Sequence, residues 1–219
     1  MDLGQIKTTE KCNDLQNVRD RLLDAAESLF CERGYDGVSV RDLTAQADCN
    51  VSAVNYYFGG KEHLYLEMFR RQIKAVFERN LSVIEAILSE PDATLEQLLG
   101  EIIAAPLNAV FENQPGLQVM RLMVGEVLHK KVQTEQIIGQ FKSKMLEGLK
   151  SAFVRLVPGL SEERAKLAVF SIDAMVIHPL LFLEFYLKMI PDLKQQELVE
   201  HIVRFAAAGI RSFVGDTQR

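Results

Sequence analysis

The chain has 219 residues, of which 48% are hydrophobic and 25% are charged, and its formal net charge is −5 at pH 7. This length allows one large domain or two smaller ones, and the composition is that of a globular protein. Because the net charge is negative, the chain has no overall positive potential that would attract it to nucleic acid or to anionic lipid.

The N-terminal part begins with a polar segment and a helix. Residues 1–16 lack helical periodicity, so we predict a mobile N-terminal arm. From Asn17, apolar residues recur at steps of three and four, which predicts an amphipathic helix. This helix is expected to stop at Gly34, because glycine readily takes the left-handed conformation that ends helices.

Two short helices are predicted next. Ser39 precedes an acidic first turn and is the expected N-cap of one helix. Residues 48–50 interrupt the apolar pattern, and a second short helix is predicted at 51–58. Two short helices joined by a tight turn, behind a longer helix, form a helix-turn-helix, so we predict a DNA-binding domain at 17–60.

The sequence of residues 61–219 predicts helices only. A long helix is expected to run from Lys61 to a turn at 90–92. Prolines, glycines and caps separate the other expected helices, at about 94–112, 117–130, 134–156, 161–189 and 193–214. No β alternation of useful length occurs, so the sequence predicts an all-α protein of about nine helices.

The second short helix is the candidate reader of the major groove. Val51, Val54 and Phe58 are expected to face inward. Small, amide-bearing or hydroxyl-bearing side chains suit base edges and phosphates, and the outward positions are Asn50, Ser52, Ala53, Asn55, Tyr56 and Tyr57. Lys61 begins the next helix, where free backbone N–H groups and a positive side chain favour a phosphate.

The segment LLDAAESLFCERGYDGVSVRDLTAQADCNVSAVNYYFGGKEHLY carries a family resemblance. It resembles the DNA-binding domain of the TetR family of repressors in Phe30, Gly34, Ser39, the Arg-Asp-Leu run at 41–43, the aromatic cluster ending at Phe58, and Gly-x-Lys-Glu at 59–62. The resemblance covers under a quarter of the chain. It implies a homodimer with a helical ligand-binding and dimerisation domain, here residues 61–219.

The resemblance also implies roles for single residues. It places Ser52, Ala53, Asn55 and Tyr56 near bases, Tyr57 and Lys61 on backbone phosphates, and Ser39 and Arg41 in support. Asn55 stands where many members have tyrosine, so the base preference is expected to differ. Asp48 replaces a frequent glycine in the turn, and aspartate tolerates the left-handed region that this turn requires.

The charge of the predicted DNA-binding domain is unusual. Residues 1–60 contain six Lys and Arg against ten Asp and Glu, a net of −4. A basic patch is the common footprint of DNA binding. We therefore expect modest non-specific affinity, with directed contacts from helix termini and hydroxyl groups.

Polar residues among apolar neighbours are the candidates for a ligand pocket in the second domain. His178, Glu126 and Asp173 each need a partner, which is either the protein itself or a ligand. For His178 we favour a satisfied core histidine over a pocket residue. Together with adaptable apolar side chains, the candidate ligand-binding residues are Met123, Glu126, Phe153, Phe170, Asp173 and His178, suited to a small apolar or aromatic effector.

The stretch AVFSIDAMVIHPLLFLEFYL is apolar on more than one face. Such a helix must be covered on both sides, by its own domain and by a second subunit. Residues 169–187 contain Asp173, His178, Pro179 and Glu184, which favours a buried helix over a membrane span. The TetR resemblance likewise implies a four-helix dimer interface from the final two helices.

The sequence contains no motif for catalysis, for phosphate binding by a glycine loop or for zinc binding. No nucleophile motif or phosphate-binding glycine loop occurs, and no histidine pair has zinc-ligand spacing, so no catalytic residue, metal or cofactor is expected. Cys12, Cys31 and Cys49 match no zinc or redox spacing and predict reduced thiols, with a Cys31–Cys49 redox switch as a weaker alternative. No apolar run follows Met1, and we expect a cytoplasmic protein.

These features predict a ligand-responsive transcriptional regulator. As a repressor it would bind a palindromic double-stranded operator as a dimer through the helix at 51–58, and a small effector would release it. One alternative is a helical ligand-binding protein that does not read DNA, and another is a helical-bundle enzyme that acts on an apolar substrate.

Overall fold

The computed structural model describes residues 3–111, 122, 124–126 and 132–214. Over these residues the chain forms helices and no strand, which confirms the all-α class. The helices are α1 Leu3–Arg33, α2 Val40–Gln46, α3 Ser52–Phe58, α4 Lys61–Leu88, α5 Leu95–Phe111, α6 Val132–Leu156, α7 Glu162–Met189 and α8 Gln195–Ser212. The helix predicted at 117–130 lies mostly outside the described residues.

The first helix begins earlier than the sequence pattern predicts. Helix α1 starts at Leu3 instead of Asn17, so residues 3–16, predicted as an arm, have helical backbone. No proline interrupts this segment, and the helix can therefore continue toward the N-terminus. The mobility of the segment stays a prediction.

The chain divides into two compact units. One consists of Met1–Ile73 with Lys131–Thr134, and the other of Lys74–Lys130 with Glu135–Arg219. Helix α4 belongs to both units. The sequence placed the domain boundary at residue 60, whereas the first turns of α4 pack with the N-terminal unit because their apolar side chains are buried there.

Aromatic side chains form much of the core of the N-terminal unit. Phe30 on α1 is fully buried, and its ring meets Tyr65 on α4 edge-on, with ring centres 5.1 Å apart. Tyr65 also stacks on Phe69 at 6.0 Å. Helices α2 and α3 add Leu43 and Val54, both fully buried. Burial of such side chains contributes about 1.5–3 kcal/mol each and fixes the short helices on α1 and α4.

The second unit is a helical bundle with one continuous core. Leu99 and Ile103 of α5, Phe153 of α6, and Ala207 of α8 are among its buried residues. Helix α7 bends where Phe182 leaves helical geometry, with φ −126° and ψ 26°, three residues after Pro179. Helix α7 is therefore kinked in the turn that follows Pro179.

Candidate nucleic-acid interface

Helix α2 begins with a complete capping box. The Ser39 hydroxyl donates to Asp42 Oδ2 over 2.6 Å, and the Ser39 backbone N–H donates to the same oxygen over 2.8 Å. In return the Asp42 N–H donates to Ser39 Oγ over 3.2 Å. Hydrogen bonds from the Ser39 side chain and backbone lower the pKa of Asp42. Ser39 is therefore the N-cap, as predicted, and the two side chains bind backbone N–H groups that have no partner within the helix.

The turn between α2 and α3 uses an aspartate in the left-handed region. Asp48 has φ 47°, which confirms the expectation that an aspartate takes the left-handed conformation of this turn. Arg21 on α1 donates from Nη2 to the Asp48 carbonyl oxygen over 3.3 Å. This contact fixes the turn on α1.

Asn50 determines where α3 begins. Its Oδ1 accepts the backbone N–H and the hydroxyl of Ser52, both over 2.9 Å. The helix therefore starts at Ser52, one residue later than predicted. The side-chain oxygen of Asn50 and the hydroxyl proton of Ser52 are engaged with each other, while both residues stay exposed.

The buried face of α3 differs from the predicted one at two positions. Val54 and Phe58 are buried as predicted. Val51 was expected inward and is 51% exposed at the N-cap of α3. Ala53 was expected outward and is only 9% exposed, so its methyl group faces the core. Both orientations predicted for Val51 and Ala53 were wrong.

Beyond Ser52, the side chains that α3 presents outward are Asn55 and Tyr56. Both are exposed, Tyr56 at 75%, which is unusual for a tyrosine. The half-buried Tyr57 ring supports Tyr56 edge-on, with ring centres 4.9 Å apart and an angle of 87°. Asn55 supplies an amide that can pair with an adenine edge, and Tyr56 supplies a hydroxyl for a base or phosphate.

Two cations flank these side chains along the chain. Arg41 on α2 is exposed, as its predicted supporting role requires. Lys61 at the start of α4 is half-buried, and its Nζ lies 4.1 Å from the centre of the Tyr35 ring. Gly60, with φ 142°, precedes it and offers no side chain to cap the helix. The first turn of α4 therefore combines unpaired backbone donors with an ammonium group.

Several carboxylates of the acidic N-terminal unit already have partners. Arg71 on α4 binds Asp24 and Glu27 of α1, with N–O distances of 2.5 and 3.1 Å. Arg19 pairs with Glu67. Arg71 lies beyond residue 60, so its pairs with Asp24 and Glu27 offset part of the net charge of −4 counted over residues 1–60, whereas the Arg19–Glu67 pair does not.

Cys31 and Cys49 are free thiols. Burial, followed by the charge of Glu27, raises the pKa of Cys31 to about 11. Burial is also the main cause that raises the pKa of Cys49. High thiol pKa values disfavour the reactive thiolate, so nothing supports the alternative of a redox switch.

The candidate ligand residues of the second unit do not converge. Phe153 lies in the core, whereas Phe170 is 56% exposed on α7. Asp173 is exposed and binds Lys142 over 3.1 Å. His178 is also exposed and not in the core as favoured, and its Nδ1 lies 3.0 Å from the Tyr186 hydroxyl. Phe170, Asp173 and His178 lie on the exposed side of α7, and their role in ligand binding stays a prediction.

The other two candidates give no pocket either. Glu126 is buried and has a partner within the chain. Met123 lies outside the described residues. An open cleft of about 440 Å³ does occur between α5 and α8, lined by Glu96, Glu200, Val203, Arg204, Ala207, Ala208 and Arg211. None of the candidate ligand residues lines it.

Helices α7 and α8 expose an apolar stripe. It consists of Leu167, Phe170, Leu181, Phe182, Phe185 and Met189 on α7 with Phe205 on α8, each 43–62% exposed. Among the described residues, α7 alone has the length and mean hydropathy, 1.7, that would suffice to cross a membrane, and 33% of its most apolar window is buried. One side of α7 is thus covered by its own unit, and the other is open.

Comparison with known proteins bears on the N-terminal unit. Residues 22–68 match the family model described as bacterial regulatory proteins, tetR family. The chain is similar to the HTH-type transcriptional repressor NicS of Pseudomonas putida, with 28% identity over 96 residues that cover 44% of this chain and 45% of NicS. It is also similar to the repressor AcnR of Corynebacterium glutamicum, with 33% identity over 81 residues, 35% of this chain and 43% of AcnR.

The likeness to solved structures extends further. The transcriptional regulator FadR of Bacillus subtilis, solved with stearoyl-CoA, has a TM-score of 0.65 and 18% identity, and the match covers 87% of this chain and 98% of FadR. At this identity the likeness concerns the fold. In sequence, the chain matches less than half of the length of the curated relatives. The matches confirm the resemblance predicted from the sequence, and relatives named as regulators agree with the prediction that the chain is not an enzyme.

Proposed function

We propose that the chain is a DNA-binding transcriptional repressor, because residues 22–68 match the model of the tetR family of bacterial regulatory proteins. The observation that carries the proposal is the exposed pair Asn55 and Tyr56 on α3, beside the uncapped first turn of α4. A tyrosine ring that is 75% exposed contributes little to the packing of this unit beyond its contact with Tyr57. The side chains of Asn55 and Tyr56 both suit contacts with DNA.

The contacts divide by chemistry. Asn55 reads a base edge, and Tyr56 contacts a base or a neighbouring phosphate. Lys61 binds a backbone phosphate together with the first N–H groups of α4, while Tyr57 and Arg41 contact the backbone further along. Ser39, Asn50 and Ser52 act at the helix starts, where their hydrogen bonds hold α2 and α3 in place.

We propose a homodimer that reads a palindromic operator. The apolar stripe on α7 and α8 supports it, because seven large apolar side chains are exposed on these two helices and monomeric proteins rarely expose extensive apolar surface. A two-fold dimer presents two α3 helices to successive major grooves, about 34–36 Å apart. The sequence of such an operator would therefore be a palindrome.

A small apolar effector is the proposed release signal. Helix α4 belongs to both units, so a change in the second unit can act on the helix that begins at Lys61. The effector lowers DNA affinity if it binds one state of the protein better than the other. FadR, a neighbour in fold, was solved with stearoyl-CoA, in which the acyl chain is apolar and the CoA part is charged, so a long-chain acyl-CoA is the first effector to test for an apolar chain in the second unit. Equal DNA affinity with and without it removes this effector class.

The first experiment measures DNA binding by fluorescence anisotropy. The probe is the intergenic DNA beside the gene of this protein, at fixed salt, with excess unrelated DNA as competitor. The wild type is expected to bind saturably, and a Tyr56→Ala, Lys61→Ala double variant is expected not to bind. Lys74→Ala is the matched control, because Lys74 is an exposed lysine further along α4 that pairs with Glu78.

A second candidate is a ligand-binding protein that keeps the fold without reading DNA. The net charge of −4 over residues 1–60 favours it. The two candidates differ in one outcome. Absence of binding to every fragment of a genomic library supports the second candidate and overturns the first.

A further inference from the structure

We propose that Tyr35 is a positioning residue for phosphate binding, because its ring holds the ammonium group of Lys61 at the first turn of α4. The inference rests on the proposed function and names a residue outside the predicted DNA-contacting set. Tyr35 lies in the loop between α1 and α2, far in sequence from the lysine that it contacts.

The contact is a cation–π interaction. Lys61 Nζ lies 4.1 Å from the centre of the Tyr35 ring and 5.9 Å from that of Phe30. Within the described part of the chain, the ammonium group forms no ion pair and no hydrogen bond. The negative face of the ring is thus its main attraction.

The Tyr35 ring is itself held in place. It stacks on Phe30 with ring centres 5.8 Å apart and an angle of 23°, and it meets Tyr65 at 5.0 Å and 67°. Gly34, with φ 70°, ends α1 in the left-handed conformation and turns the chain so that Tyr35 reaches these rings. Since α1 supplies Phe30 and α4 supplies Tyr65, the ring occupies a fixed place between the two helices.

The attraction does not come from a phenolate. Burial, then the charges of Glu62 and Asp36, raise the pKa of Tyr35, so its hydroxyl is neutral at neutral pH. A neutral ring attracts the ammonium without neutralising it. An ammonium group has three N–H donors, so the donors of Lys61 that do not face the ring are available to a phosphate.

This arrangement has a consequence for DNA binding. A free lysine side chain samples many rotamers, and ordering it on a phosphate opposes binding. The ring restricts Lys61 before DNA arrives, next to the backbone donors that follow Gly60. A purely structural contact would stabilise the fold without affecting how DNA binding responds to salt.

The salt dependence of DNA binding separates these two roles. We propose to measure the affinity of the wild type, Tyr35→Phe, Tyr35→Leu, Lys61→Ala and the Tyr35→Leu, Lys61→Ala double variant between 50 and 300 mM KCl. Each phosphate contact contributes about 0.9 to the slope of log affinity against log salt, so Lys61→Ala lowers its magnitude by about 1.8 in a dimer. Lys74→Ala is the lysine control, and thermal unfolding reports stability.

We expect Tyr35→Leu to lower the slope by at least half as much as Lys61→Ala, and Tyr35→Phe, which keeps the ring, to retain the wild-type slope. In the Lys61→Ala background Tyr35→Leu should cause no further decrease. A wild-type slope in Tyr35→Leu, or a decrease that persists without Lys61, overturns the inference while the proposed function stands. If the wild type itself binds no genomic DNA fragment, the proposed function fails instead.

Discussion

The guanidinium carbon of Arg19 lies 5.3 Å from the centre of the Phe58 ring, and the same guanidinium pairs with Glu67. One side chain of α1 therefore contacts the last residue of α3 and the first half of α4. Phe58 is also buried, so its position determines how α3 ends against α1. Arg19 is thus a cross-link between the candidate reader helix and the helix shared by both units.

Replacing this cross-link should affect both stability and DNA binding. We expect Arg19→Ala to lower the free energy of unfolding by about 1 kcal/mol, because the ion pair is partly exposed and the cation–π contact is modest. DNA affinity should also fall, since α3 loses a contact that orients it. Urea unfolding and anisotropy measure the two effects. If Arg19→Ala is fully folded and its DNA affinity is unchanged, Arg19 does not orient α3. Lys74→Ala is the control for loss of a surface ion pair.

The capping box of α2 should make stability depend on pH. Ser39→Ala removes the hydroxyl that bonds to Asp42 and should lower the free energy of unfolding by about 1 kcal/mol at pH 7. The folded pKa of Asp42 is depressed, so its stabilisation is present above the unfolded pKa of about 3.9 and is lost as pH falls through the folded value.

The difference between wild type and Ser39→Ala should therefore shrink below about pH 4. Urea unfolding at pH 7, 5 and 3.5 measures it. Ser143→Ala is the matched control, because the Ser143 hydroxyl donates to the Gly139 carbonyl within α6 and bonds to no titratable group. A difference that stays constant over this pH range would contradict the role of Asp42.

The sequence predicted the helix-turn-helix well because its signals are local. The serine cap of α2, the left-handed Asp48 and the end of α3 at glycine each follow from a residue's own conformational preference. The outward face of α3 was less predictable. Apolar spacing predicted Val54 and Phe58 inward, but the exposure of Val51 at the N-cap and the burial of the small Ala53 depend on the neighbouring helices, which the pattern does not specify.

The sequence could not predict which of the candidate ligand residues are buried and which are exposed, for a different reason. Apolar periodicity distinguishes a packed face from a solvated one, but it does not tell which neighbour covers the face. Phe153 and Phe170 have the same chemistry, yet one lies in the core of the second unit and the other on its open side. Only the packing of α5, α6 and α8 around α7 separates them.

Asn55 should determine base preference and not overall charge attraction. We expect Asn55→Ala to reduce affinity for the operator by about 1–3 kcal/mol and to relax discrimination at one base pair in each half-site. The slope of log affinity against log salt should stay unchanged, unlike that of Lys61→Ala. Anisotropy with single base-pair variants of the operator measures the preference. Equal losses on every base-pair variant would place Asn55 on the backbone instead.

The apolar stripe on α7 and α8 should hold the dimer together. Phe185 is 58% exposed in the middle of the stripe, so a carboxylate there would be buried in an apolar interface at a cost of several kcal/mol. We expect Phe185→Asp to give a monomer of 24.7 kDa by light scattering without detergent, where the wild type has twice that mass. Gln140→Asp adds the same charge at an exposed site on α6 outside the stripe and should stay dimeric.

Monomeric Phe185→Asp should also lose most of its operator affinity, because each half-site then binds alone. A monomeric wild type would contradict the interface, and a wild type recovered only in detergent would point to a lipid environment for the exposed side of α7.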